Sequence, residues 1–103
     1  MRAWLGLGSN MEQPVTQLRR ALRRLASVEE IEILKTSSLY RTPPWGEQLQ
    51  DDFINAVVQI ETSLEGIPLL HVLQSIENVM GRKRSGTRWG PRLIDIDLLL
   101  FDD

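Results

Sequence analysis

Two stretches whose apolar residues recur at helical spacing lie between segments whose apolar residues alternate, and that order leaves 103 residues few ways to fold. Arg2 to Gly8 puts Ala3, Leu5 and Leu7 on one face and Trp4, Gly6 and Gly8 on the other, as a strand requires. Ser9 and Asn10 then stand as N-cap residues before a helix bearing Val15, Leu18, Leu22 and Leu25. Ile31 to Thr42 reads as a single second strand rich in Ile, Thr, Ser and Tyr. Thr42-Pro-Pro-Trp-Gly46 breaks it, and a polar loop continues through Asp52. Phe53 to Thr62 alternates again, with Ile54, Ala56, Val58 and Ile60 against Phe53, Asn55, Val57 and Gln59. Gly66 and Pro68 open a second helix with Leu69, Val72, Leu73, Ile76 and Met80, and Gly81 is placed to end it. A fourth strand runs from Leu93 to Phe101.

The order is β-α-β-β-α-β, which predicts an α+β fold of the ferredoxin-like kind. Right-handed crossovers then put both helices on one face of a four-stranded antiparallel sheet, in strand order 4-1-3-2. Leu5, Leu7, Ile54, Ala56, Val58, Ile96 and Leu98 are expected to face the helices. Gly6, Gly8, Phe53, Asn55, Asp95 and Asp97 are left on the open face. Strand 1 lies between strands 3 and 4, and its glycines leave a bare path about 10 Å wide between Asn55 and the aspartates.

Asp95 and Asp97, two residues apart in an otherwise apolar strand, stand side by side, with Ile94, Ile96, Leu98 and Leu100 pointing the other way. Two unneutralised carboxylates would repel each other. Mg²⁺ removes the repulsion, since it takes hard oxygen ligands and leaves part of its shell to water and substrate phosphate. The preceding residues 82 to 92 contain Arg82, Lys83, Arg84, Arg88 and Arg92 and no acid, so they carry +5 on a chain of net charge −2. A local cationic stretch on an acidic body fits a small polyanion better than a long one, and the net charge argues against a generic nucleic-acid binder. Arg88 and Arg92 would meet phosphates with planar donor forks.

Composition adds limits. With 42% hydrophobic and 25% charged residues, the chain is of ordinary globular type and suited to one domain over residues 1–103. It has no cysteine, no apolar run long enough for a membrane span and no signal-peptide pattern at its start, so a cytoplasmic location is expected, with no membrane or nucleic-acid partner; a monomer is a separate expectation that these features do not carry.

Gly6-Leu-Gly-Ser-Asn10, Ser38-Leu-Tyr-Arg-Thr-Pro-Pro44, Phe53-Ile-Asn-Ala56 and above all Arg88-Trp-Gly-Pro-Arg-Leu-Ile-Asp-Ile-Asp97 closely resemble the 6-hydroxymethyl-7,8-dihydropterin pyrophosphokinases of folate biosynthesis. The resemblance covers nearly the whole chain. It implies transfer of the β,γ-pyrophosphoryl group of ATP to the hydroxymethyl oxygen of the pterin, releasing AMP. It further implies that Asp95 and Asp97 hold two Mg²⁺ ions and act in catalysis with Arg82 and Arg92. Glu77, Arg84, Arg88, Trp89, Arg92 and Leu98 would contact the nucleotide, and Thr42, Pro43, Pro44, Trp45, Phe53 and Asn55 the pterin. Phe53 stands where Tyr is frequent in the family, which keeps the stacking surface and drops a hydroxyl. Trp45 stands where a smaller apolar residue is common. Members of the family usually continue beyond the fourth strand into a segment that covers the other side of the pterin, and the chain is read as ending before it.

Other readings compete for the same residues. Asp-x-Asp on a strand is by itself more often a solvated face than a metal site, and Arg19, Arg20, Arg23 and Arg24 are most simply the polar face of the first helix. His71 is expected on the surface. An open four-stranded sheet also serves RNA recognition, but that use wants aromatics where this face carries aspartates. A catalytically weak or silent relative, acting as a binding or assembly module, is the other alternative.

Overall fold

The computed structural model describes residues 1–43, 51–81 and 93–102. Its elements are β1 (Arg2–Ser9), α1 (Pro14–Ala26), β2 (Ile31–Thr36), β3 (Tyr40–Thr42), β4 (Phe53–Thr62), α2 (Gly66–Val79) and β5 (Asp95–Asp102). All the pairings are antiparallel, and the sheet runs β2-β4-β1-β5 with β3 also on β4. This is the α+β arrangement and the strand order that the alternation predicts, with one predicted strand divided into β2 and β3.

Serine chemistry makes the division. The Val57 amide donates to Ser37 Oγ at 2.8 Å, while the Ser37 amide donates to the Val57 carbonyl at 2.8 Å. A side-chain hydroxyl thus takes a place that a backbone carbonyl would hold in a continuous ladder. Pairing resumes at Tyr40 opposite Asn55.

The core lies between the sheet and the helices. Ala3, Leu5 and Leu7 of β1 and Ala56, Val58 and Ile60 of β4 are buried, and they meet Leu18, Ala21 and Leu25 of α1 and Leu69, Leu73 and Ile76 of α2. A buried leucine or isoleucine is worth roughly 1.5–3 kcal/mol relative to exposure, so this layer dominates the stability. The open-face residues of β1 are Trp4, Gly6 and Gly8, as the alternation requires.

Three local expectations are corrected. Ser9 belongs to β1 and Asn10 is buried, so neither caps α1; the helix begins at Pro14 after Glu12 and Gln13, whose φ values are 48° and 60°. Proline suits the first helical turn, where its missing N–H costs nothing. Gln17 stabilises the turn from inside the helix, donating from Nε2 to the Glu12 carbonyl at 2.8 Å.

The second correction concerns β5. Leu5 pairs with Leu98 and Trp4 with Leu100, so Leu99 is an extra residue on β5. A bulge of this kind reverses the facing of the residues after it. Leu100, expected toward the helices, is 62% exposed, and Phe101 packs against the core instead.

The third is a matter of degree: Ile54 and Leu98, expected in the core, are only partly buried at its margin. Gly81 ends α2 as expected. Its φ of 96° is a conformation that residues with a Cβ rarely adopt, and its amide donates to the Asn78 carbonyl at 3.1 Å.

Candidate active site

The open face is built by register. Gly8 of β1 stands opposite Asn55 of β4 on one side and Asp95 of β5 on the other, while Gly6 stands between Val57 and Asp97. Tyr40 lies opposite Asn55, and Thr42 opposite Phe53. Tyr40, Asn55, Gly8 and Asp95 therefore form one row across four strands, with Asn55 and Asp95 about 10 Å apart across the central strand. A hollow of ≈ 290 Å³ occupies this face, and its lining includes Gly6, Gly8, Tyr40, Thr42, Phe53, Asn55, Asp95, Asp97 and Leu99.

The glycines are there because of what adjoins them. A Cβ on Gly8 would lie 2.9 Å from Asn55 Oδ1, and one on Gly6 would lie 3.3 Å from both Leu99 methyl carbons. Asn55 is itself held, since its Nδ2 donates to Thr42 Oγ1 at 2.7 Å. Oδ1 faces β1, leaving acceptor capacity toward the hollow, while Nδ2 retains one more donor. Such a mixed donor and acceptor set suits the edge of a flat nitrogen heterocycle.

Asp95 is half-buried and Asp97 exposed, both beside the β1 glycines. Among the described residues, no three His, Cys, Asp or Glu side chains gather to form a metal cage. Two neighbouring carboxylates without a third protein ligand do not make a dedicated all-protein site. They suit a hard cation that keeps water and substrate oxygens in its shell, which is the habit of Mg²⁺.

Glu77 is 3% exposed and sits on the helix side of β5, where its Oε2 accepts the Ile96 amide at 2.7 Å. Leu98 is partly buried against the core. Of the remaining expected residues, Thr42, Phe53 and Asn55 line the hollow and Pro43 is exposed directly after β3. Pro44, Trp45, Arg82, Arg84, Arg88, Trp89 and Arg92 lie outside the described residues. His71 is exposed, as expected.

Two residues of the hollow escape a reading of the sequence. Tyr40, 46% exposed, lies two positions before Thr42 and so on the same face, a relation the alternation contains once Thr42 is placed. Leu99 lies two positions after Asp97 and shares its face by the same alternation, since the bulge changes the facing only from Leu100 onward.

Comparison with known proteins identifies the family. Residues 4–102 match the family model of the 7,8-dihydro-6-hydroxymethylpterin-pyrophosphokinases. The chain is 48% identical over 101 residues to a 2-amino-4-hydroxy-6-hydroxymethyldihydropteridine pyrophosphokinase of Methylorubrum extorquens, an alignment covering 98% of this chain and 63% of that protein. It is 46% identical to the Haemophilus influenzae protein of the same name, over 96% of this chain and 61% of the relative. With a Pseudomonas putida protein of that name it shares 43% identity over 100% of this chain and 84% of the relative. The chain thus spans about three-fifths of the length of the first two relatives. It belongs to the 7,8-dihydro-6-hydroxymethylpterin-pyrophosphokinase family.

Proposed function

We propose that this chain transfers the β,γ-pyrophosphoryl group of ATP to the hydroxymethyl oxygen of 6-hydroxymethyl-7,8-dihydropterin, releasing AMP in a step of folate biosynthesis. The observation that carries the reading is the row from Tyr40 and Asn55 across bare Gly8 to Asp95. It sets an oriented amide and a carboxylate pair on one face, with no side chain between them. Family membership supports the same chemistry, since the relatives are pyrophosphokinases by name.

In this reading Asn55 and Thr42 read the edge of the pterin and Phe53 stacks on its ring, with Pro43, Pro44 and Trp45 completing that side. Asp95 and Asp97 would hold Mg²⁺, two ions in the full complement. Bound there, the metal supplies charge neutralisation along the triphosphate. Arg82, Arg84, Arg88 and Arg92 offer planar forks to the phosphate oxygens, and Trp89 flanks the nucleotide. Leu98 serves the nucleotide through its backbone, because β5 is an edge strand with main-chain groups facing outward.

The hydroxymethyl oxygen bonds to the β-phosphorus as the bond from that phosphorus to the oxygen shared with the α-phosphate breaks. AMP leaves with that oxygen, and the hydroxyl proton passes to solvent. Holding donor and acceptor in line and neutralising charge supply most of what such a transfer needs. The test is AMP formation from ATP, Mg²⁺ and 6-hydroxymethyl-7,8-dihydropterin. AMP and pterin diphosphate in equal amounts are expected; a folded chain that binds both substrates and forms neither product would instead be a binding module.

A further inference from the structure

Glu77 is the only buried acidic side chain among the described residues, and the nucleotide contact that the resemblance implies for it does not account for its bond to β5. One of its hydrogen bonds is informative: Oε2 accepts the backbone N–H of Ile96, the residue between Asp95 and Asp97. Among the described strands, β5 lies at the edge of the sheet and pairs with β1 alone. In an antiparallel ladder successive residues turn their N–H groups alternately toward and away from the partner. An Ile96 amide directed to α2 therefore means that Asp95 and Asp97 direct theirs to Gly8 and Gly6, their register partners. Glu77 occupies the place that a sixth strand would otherwise fill.

A backbone amide at a sheet edge can be satisfied by water at little cost. A carboxylate held 3% exposed is expensive unless it is well bonded, and a charge-assisted bond is among the stronger ones available. The arrangement also links two elements. α2 ends at Val79, three residues before Arg82, and β5 starts at Asp95, three after Arg92, so one hydrogen bond joins both ends of the cationic stretch.

We propose that Glu77 is a positioning residue, whose carboxylate fixes the Ile96 amide and thereby sets the relation of Asp95 to Asp97 and of both to α2. It acts on the metal-binding pair through the strand rather than by touching nucleotide. This rests on the reading of Asp95 and Asp97 as the metal-binding pair.

The experiment compares the parent chain with Glu77→Ala, Glu77→Asp and Glu77→Gln. Aspartate is one methylene too short to reach Ile96, whereas the glutamine amide oxygen can still accept. Amide exchange at Ile96, measured without ligand, should accelerate in the Ala and Asp variants and stay near the parent rate in the Gln variant. The Mg²⁺ concentration that half-supports ATP binding in calorimetry should rise on the order of 10-fold in Ala and Asp, the usual scale for removing a partner that orients metal ligands. Metal-free ATP binding should not change, and Gln should restore the Mg²⁺ response. Unchanged Ile96 exchange in the Asp variant overturns the proposal, and this readout survives if Ala fails to fold. So does an unchanged Mg²⁺ midpoint in variants of lowered stability, which would leave Glu77 a plain edge support. Metal-free ATP binding weakened equally by all three variants would make Glu77 a direct nucleotide contact and overturn it too. If the parent itself shows no Mg²⁺-dependent ATP binding, the reading of the site fails, and Ile96 exchange alone then decides whether Glu77 holds β5.

Discussion

Asn55 and Gly8 face each other across the β4–β1 ladder so closely that the space above the glycine belongs to the Asn55 side-chain oxygen Oδ1, 2.9 Å from where a Cβ would stand. Gly8→Ala must therefore move the amide or the strand. The amide is the softer of the two, although its bond to Thr42 resists. We expect Gly8→Ala to weaken pterin binding about 10-fold, the effect of losing roughly one good hydrogen bond from a desolvated site, with metal-free ATP binding unaltered. Titration of pterin fluorescence would check it, and equal affinity in parent and variant would remove Asn55 from the pterin site.

Thr42 tests the same amide from the other side. Thr42→Val keeps the shape but removes the acceptor of Asn55 Nδ2, leaving a partly buried donor without that partner at a cost of about 1 kcal/mol. Released, the amide can rotate and present the wrong end to the ligand. Pterin affinity should fall in Thr42→Val and recover in Thr42→Ser, and the thermal midpoint should drop by roughly 4–8 °C in Thr42→Val and stay near the parent value in Thr42→Ser. A serine variant as poor as valine would point to the Thr42 methyl group instead of the hydroxyl.

Whether a feature is legible in the sequence depends on what its signal physically is. Alternation in Phe53 to Thr62 and Arg2 to Gly8 reports which side of a sheet is wet, and both strands face as their patterns say. Gly81 reports a backbone conformation, and it has the positive φ that this role requires. The bulge at Leu99 leaves no trace because Leu98, Leu99 and Leu100 are the same residue type, so a slip in facing changes no pattern. Ser9 and Asn10 have the right chemistry for helix caps, but tertiary burial claims them first. Asn55, Asp95 and Asp97 share the predicted open face, whereas the Thr42 bond that orients Asn55 depends on where the β2–β3 break falls.

Asp95→Ala and Asp97→Ala should abolish Mg²⁺-dependent ATP binding and leave the fold intact. Both side chains stand on the open face and neither belongs to the apolar layer, so the change in stability should stay within about 1 kcal/mol. Asp97, the more exposed, should be the milder for stability. Calorimetry with Mg-ATP on variants shown to be folded by circular dichroism checks this. Parent-like binding by either variant would remove that carboxylate from the metal site.

Asn10 supplies a structural tie whose loss should reach the site from a distance. Its side chain is 3% exposed, and its Nδ2 donates to the Asp51 carbonyl at 3.0 Å, joining the end of β1 to the approach to β4. Asp51 lies two residues before Phe53, so the bond helps to fix where the strand carrying Phe53 and Asn55 begins. Asn10→Asp keeps the size and loses the donor, and it buries a carboxylate facing a carbonyl oxygen, which is repulsive. Asn10→Ala loses the donor without that repulsion. We expect the alanine variant to lose about 2 kcal/mol, or roughly 8–16 °C in thermal midpoint for a domain of this size, and the aspartate variant to lose more at neutral pH. Pterin affinity should fall in both, more than affinity for metal-free ATP, because the disturbed strand carries the pterin side of the face. Thermal melts near pH 7 and pH 4 separate the terms: protonating the new carboxylate should bring Asn10→Asp closer to Asn10→Ala. Equal gaps at both pH values would show that the carboxylate escapes to solvent and that the Asp51 contact does not fix this turn.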